Sequence, residues 1–180
     1  MGDEQEDGRL IARIAEGDRE AWGEFFQAYA PRIYRYVLTL IHAPSLAEEV
    51  VQETMLAIWK SAERYSGSAR PSTWILGIAR HKALDKLRRE RQDAKLQMEH
   101  DEPDIVVEPE REAERELLQD RVRKALVRLS QEHRETVVLA FYHGLSYKEI
   151  AELMDCPEGT VKSRMFYAKE RLKELLGEGR

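Results

Sequence analysis

The chain has 180 residues, of which 35% are charged and 42% apolar, and a net charge of −5. That length holds one domain or two small ones, and no apolar run is long enough to cross a bilayer. A single cysteine, Cys156, excludes an internal disulfide and a cysteine-rich metal site and fits a reducing cytoplasm, while the acidic start MGDEQEDGRL lacks the basic-then-apolar order of a secretion signal.

Helix punctuation is dense from the start. Asp18 is placed to cap the segment REAWGEFFQAY. Pro31 and Pro71 stand at expected first helical positions, and Gly17, Gly144 and Gly177 at expected ends. Ser45 with Glu48, and Ser146 with Glu149, match the reciprocal capping box, in which the serine oxygen accepts from a helix-start N–H and the glutamate reaches back. No alternating strand pattern of useful length occurs. The reading is all-α, with four or five helices in roughly the first ninety residues and four in the last part.

In SLAEEVVQETMLAIWKSAERY, an inner stripe of Val51, Thr54, Ile58 and Ala62 leaves Glu49, Gln52, Glu53 and Leu56 together on another face. An acidic face with an apolar anchor suits a cationic protein partner and does not suit DNA. A solvated face with one tolerated leucine has the same pattern.

The next stretch is RYSGSARPSTWILGIARHKALDKLRRERQ. Its loop is small and polar, with Ser66, Gly67 and Arg70. The helix expected after it, beginning with Ser72 in its first turn, sets Trp74, His81, Asp85 and Arg88 on one side among Arg80, Lys82, Lys86, Arg89 and Arg91. Aromatic and basic residues beside such a loop suit unpaired bases, which stack on the rings while the cations follow the phosphates; a small-residue loop also suits an extruded base. The competing reading makes Trp74 a core residue and the cations a solvated face.

Charge is unevenly spread. Residues 1–92 carry 14 Lys+Arg against 14 Asp+Glu, residues 93–116 carry 3 against 10, and residues 117–180 carry 12 against 10. The acidic stretch also holds Pro103 and Pro109. It reads as a linker over 93–110 between helical domains at 1–92 and 111–180.

The last part, GLSYKEIAELMDCPEGTVKSRMFYAKERLKELL, has a short helix with apolar Ile150, Ala151 and Leu153. A tight connection at Asp155 and Cys156 and a second helix striped by Val161, Met165, Ala168, Leu172 and Leu175 follow. This is the pattern of a helix-turn-helix whose second helix enters the major groove. A plain helical hairpin with a basic face fits the spacing as well. Five histidines show no metal-ligand pairing at i, i+4 and no nucleophile motif occurs, so no enzyme, metal or cofactor is expected.

Three motifs in order carry a family resemblance. AEEVVQETMLAIWK resembles the core-polymerase-binding helix of bacterial sigma factors of the sigma-seventy family, extracytoplasmic-function type. SGSARPSTWILGIARHKALDKLRR resembles the segment that opens and reads the −10 promoter element, and GLSYKEIAELMDCPEGTVKSRMFYAKERL the helix-turn-helix that reads the −35 element. The resemblance implies two small helical domains, regions two and four, joined by the acidic linker, and no catalysis. It implies that Glu49, Gln52, Glu53 and Leu56 face the coiled coil of the beta-prime subunit of core RNA polymerase, and that the second domain contacts the beta flap. Ser66, Gly67, Arg70, Ser72 and Trp74 would lie at or near the −10 base pocket, with His81, Asp85, Arg88 and Arg89 beside it. Thr160, Lys162, Ser163, Arg164, Phe166 and Tyr167 would line the −35 groove. The linker would run toward the RNA exit path.

The sequence departs from the family at two points. The family often has asparagine where His81 stands and arginine where Tyr167 stands, so altered −10 and −35 contacts are expected. A net charge of −5 also implies weak binding to duplex DNA without polymerase. No further domain is expected after the helix-turn-helix, and regulation is expected from a separate anti-sigma factor. The alternative function is a one-component helix-turn-helix regulator, which would need a ligand pocket or dimer interface and would not need Gly67, Trp74 and the basic helix.

Overall fold

The computed structural model describes residues 4–96 and 121–177. The chain forms two compact units, residues 1–106 and 107–180.

The first unit begins with α1 (Glu4–Ala15), which buries Ile11 and Ile14. Gly17, at φ +85°, turns the chain, and Asp18 then caps α2 (Arg19–Ile41) by accepting from the N–H groups of Glu20 and Ala21. Pro31 is not the start of a helix: it lies inside α2. An interior proline costs about 3 kcal/mol. The buried run Phe25, Tyr29, Ile33, Tyr36, Val37 and Leu40 continues across it on one face, and each such side chain returns roughly 1.5–3 kcal/mol. Helix continuity therefore wins.

Helix α3 (Pro44–Ser61) follows His42, which takes the left-handed cap conformation at φ 60°. The expected box at Ser45 and Glu48 does not form. Ala43 is the N-cap, and Pro44 opens the helix one residue before Ser45, so Ser45 already lies within the first turn. A single 3₁₀ turn (Ala62–Arg64) leads to the loop 65–70, and α4 (Pro71–Leu96) starts at its expected proline. Helices α2, α3 and α4 pack together with α1 across them, around Phe25, Ile33, Tyr36, Val50, Ile58 and Ile75. Helix α4 runs on to Leu96, so residues 93–96 of the acidic segment are helical; 97–110 lie outside the described residues.

The second unit holds α5 (121–127), α6 (Gln131–Phe141), α7 (Tyr147–Met154) and α8 (Glu158–Gly177). Its core joins Leu129, Val137, Met165 and Ala168. Arg134 is mostly buried there and donates from Nη1 to the Val127 carbonyl at 3.2 Å; burial lowers its pKa. The capping box at Ser146 and Glu149 forms as expected, with the glutamate 2.8 Å from the Ser146 N–H and the Glu149 N–H 3.3 Å from the serine hydroxyl.

Candidate nucleic-acid and polymerase interfaces

Helices α7 and α8 form the helix-turn-helix. Asp155 ends α7 at φ 51°, and the Cys156 N–H donates back to the Ala151 carbonyl at 3.0 Å. Pro157 opens the next helix, its carbonyl accepting from the Thr160 N–H at 2.9 Å. Val161, Met165 and Ala168 are buried, which turns the opposite side of α8 outward. Of the six groove residues expected, Lys162, Ser163, Phe166 and Tyr167 are exposed and Thr160 is half-buried. Lys162 is held 2.8 Å from Glu158, and that hydrogen bond raises its pKa. Ser163 donates to the Gly159 carbonyl. Arg164 is half-buried and turned back toward the turn, its Nη1 3.7 Å from the Cys156 sulfur. The Phe166 and Tyr167 rings meet edge to face at 5.5 Å.

On α3, Leu56 is 53% exposed and shares its surface with Glu49, Gln52 and Glu53. Two of these acids already have partners within the chain. Lys86 of α4 lies 2.6 Å from Glu49, and Lys82 lies 3.8 Å from Glu53. The face is therefore less anionic than its sequence suggests, and Leu56 is its most distinctive feature. Beside it lies an aromatic group that sequence reasoning missed: Trp22 of α2 packs edge to face on Trp59 of α3 at 5.1 Å, and Phe26 and Trp59 are partly exposed.

The loop 65–70 is braced from both sides. The Tyr65 hydroxyl donates to the Ala69 carbonyl at 2.7 Å, and the Tyr65 ring lies 4.9 Å from that of Trp74. Desolvation raises the Tyr65 pKa. Gly67 has φ +73°, and Arg70 pairs with Glu4 of α1. An open cleft of about 910 Å³ separates α1 from this loop. Trp74 and Ser72 are half-buried, so Trp74 serves the fold as well as the surface. Further along α4, Asp85 joins His81 (3.2 Å) to Arg88 (2.7 Å), and Arg89 is exposed. The loop contacts with α1, like the pairs between α3 and α4, join distant parts of the chain and leave no local signal. Among the described residues no cluster of metal-ligating side chains occurs, and no helix is long and apolar enough to cross a membrane.

Residues 25–92 match the family model for sigma-70 region 2, and residues 119–172 that for sigma-70 region 4. The chain is 30% identical to the ECF RNA polymerase sigma factor SigK of Mycobacterium sp. (strain KMS), over 93% of this chain and 89% of that one. It is 33% identical to the ECF RNA polymerase sigma factor RpoE of Cereibacter sphaeroides, over 87% of each. Among solved structures, it resembles the sigma factor RpoE of Bartonella quintana, solved in complex with the anti-sigma factor NepR. That likeness has a TM-score of 0.76 and 25% identity, over 88% of this chain and 98% of that one.

The chain belongs to the sigma-70 family of bacterial RNA polymerase sigma factors, in its extracytoplasmic-function group. It is a transcription initiation factor that binds core RNA polymerase and directs it to promoters by their −10 and −35 elements. The alternative of a self-sufficient one-component regulator is set aside, because both matched regions are sigma regions.

Proposed function

We propose that the three surfaces divide the work of promoter recognition as the sequence motifs imply, with residues 1–92 as region two and 111–180 as region four. Glu49, Gln52, Glu53 and Leu56 dock on the beta-prime coiled coil, and the second unit also meets the beta flap. Leu56 supplies the anchor, because the flanking Glu49 and Glu53 already have lysine partners. Loop residues Ser66, Gly67 and Arg70, with Ser72 and Trp74, receive the unpaired −10 strand. His81, Asp85, Arg88 and Arg89 lie beside it. Thr160, Lys162, Ser163, Phe166 and Tyr167 face the −35 major groove, and Arg164 supports the turn from which they project. The protein works in the cytoplasm without catalysing a reaction. An anti-sigma factor holds it inactive by covering these surfaces, as NepR binds the Bartonella quintana relative.

The observation that carries the docking assignment is an exposed leucine on a helix face otherwise lined by Glu49, Gln52 and Glu53. Size-exclusion chromatography of the full chain with bacterial core RNA polymerase tests it, beside the double variant Glu53→Lys, Leu56→Asp. Co-elution of the wild type and separate elution of the variant is the expected result. Co-elution of both would mean that Glu53 and Leu56 are not the contacts that hold the chain on polymerase.

A further inference from the structure

The loop 65–70 has a single charged residue, Arg70, so a group that pairs with Arg70 cancels the charge of the whole loop. A carboxylate from the far end of the unit does so: Glu4 Oε1, on the first residue of α1, pairs with Arg70 Nη2. The first turn of α1 also carries Glu6 and Asp7, and the cleft between α1 and the loop is lined by Glu16 and Glu63 as well as by Glu4 and Arg70. The charge of α1 is felt in the loop. The Tyr65 pKa, raised first by desolvation, is raised further by Asp7.

Acids in a first helical turn favour the helix dipole. That accounts for acids in this turn, but not for one that reaches out of its helix to an arginine beyond α3. The pair is also placed to exchange. Both side chains are partly open to water, at 39% for Arg70 and 47% for Glu4, and exposed pairs are weak. A phosphate makes the same charge-assisted contact with a guanidinium as a carboxylate does, so a strand can take the place of Glu4. The displaced carboxylate then stands with Glu6 and Asp7 beside a phosphate of the same sign.

We propose that the first turn of α1 is an intrachain brake on promoter engagement: Glu4 occupies Arg70 in the free loop, and an unpaired strand engages the loop by displacing that carboxylate with a phosphate. The inference rests on the reading of Arg70 as a −10 contact given above. The cost is small beside the many contacts of a promoter held on polymerase, and it weighs most on nucleic acid that meets the loop without them.

The test uses holoenzyme assembled from the full chain and bacterial core RNA polymerase. The probe is a promoter enriched from a randomised library by the wild-type holoenzyme, with its −10 segment held open by mismatches. Glu4→Gln keeps the length of the side chain and removes its charge. It should tighten binding about two- to five-fold, the range open to an exposed pair, and the gain should shrink as salt rises and screens the pair. Glu6→Gln removes the same charge from the same turn and leaves the Arg70 pair in place, so its gain should be smaller. Arg70→Ala should weaken binding, and in that background Glu4→Gln should add no more than Glu6→Gln adds.

Unchanged or weaker binding by Glu4→Gln would make Glu4 a bystander or a brace for Arg70, and equal gains from Glu4→Gln and Glu6→Gln would reduce the effect to net charge. Each overturns the inference while the −10 reading stands. Binding indifferent to Arg70→Ala overturns both.

Discussion

Lys86 reaches from α4 to α3, where its Nζ lies 2.6 Å from Glu49 Oε2 across 37 residues of chain. The hydrogen bond that Lys86 donates to Glu49, aided by the nearby charges of Glu49, Glu90 and Glu53, raises the Lys86 pKa. The contact adds a polar link to the packing that already joins the helix read as polymerase-facing to the helix read as −10-facing.

The pair is half open to water on the glutamate side, and exposed pairs contribute less than about 1 kcal/mol. Lys86→Met is therefore expected to lower stability by that much or less in urea unfolding at neutral pH. A lysine whose folded pKa is raised contributes its stability in full below the unfolded value of about 10.4, and loses it as pH rises through the folded one. The gap between wild type and variant should stay flat from neutral pH to about pH 10 and close above it.

Asp18 gives the opposite pH signature. The Ala21 N–H and the Arg13 side chain lower its pKa, so its contribution is present above the unfolded value of about 3.9 and is lost as pH falls through the folded one. Asp18→Ala should lower the melting temperature of the first unit by a similar amount throughout the neutral range, with the difference from wild type fading at the acid end. Circular dichroism melts across pH measure this directly.

Gly67 tests the −10 loop. A Cβ built there meets no heavy atom within 4 Å, yet φ is +73°. The cost of Gly67→Ala is then conformational rather than steric, about 1 kcal/mol, and Gly67→Asn should cost less because asparagine visits this region more readily. Equal stability of all three in urea would mean that the loop changes its backbone to suit the residue.

What the sequence discloses and what it hides follow from the range of each interaction. The box at Ser146 and Glu149, the cap at Asp18 and the stripe of Val161, Met165 and Ala168 each lie within a few turns of helix, and all are readable in advance. The capping box read at Ser45 fails for an equally local reason, since Pro44 opens the helix before it. Pro31 misleads because burial along all of α2 outweighs one proline. The ion pairs of Glu49 and Glu53, the Trp22–Trp59 contact and the hold of Glu4 on Arg70 depend on tertiary packing. The inward turn of Arg164 depends on the loop geometry that places Cys156 beneath it. Phe141 and Tyr142, at the end of α6, are 66% and 71% exposed, an exposure that no local pattern announces. The three motifs identify the family, but partners within the chain modify the charge that each surface presents.

Tyr167 offers the sharpest test of the −35 surface. Its side chain is 61% exposed, its ring lies against Phe166 and within 6.4 Å of His133, and it stands where the family often has arginine. An apolar or hydroxyl contact displaces no counterion, whereas each phosphate neutralised by a cation steepens the fall of log affinity with log salt by about 0.9. Tyr167→Arg should therefore steepen that slope by roughly one phosphate contact when holoenzyme binding to a −35-containing promoter is titrated with salt. It should also raise affinity at low salt and leave folding unchanged, because the ring supports no buried core. An unchanged slope would mean that this position of α8 does not reach a phosphate, and phosphate contact on this face would then fall to Lys162.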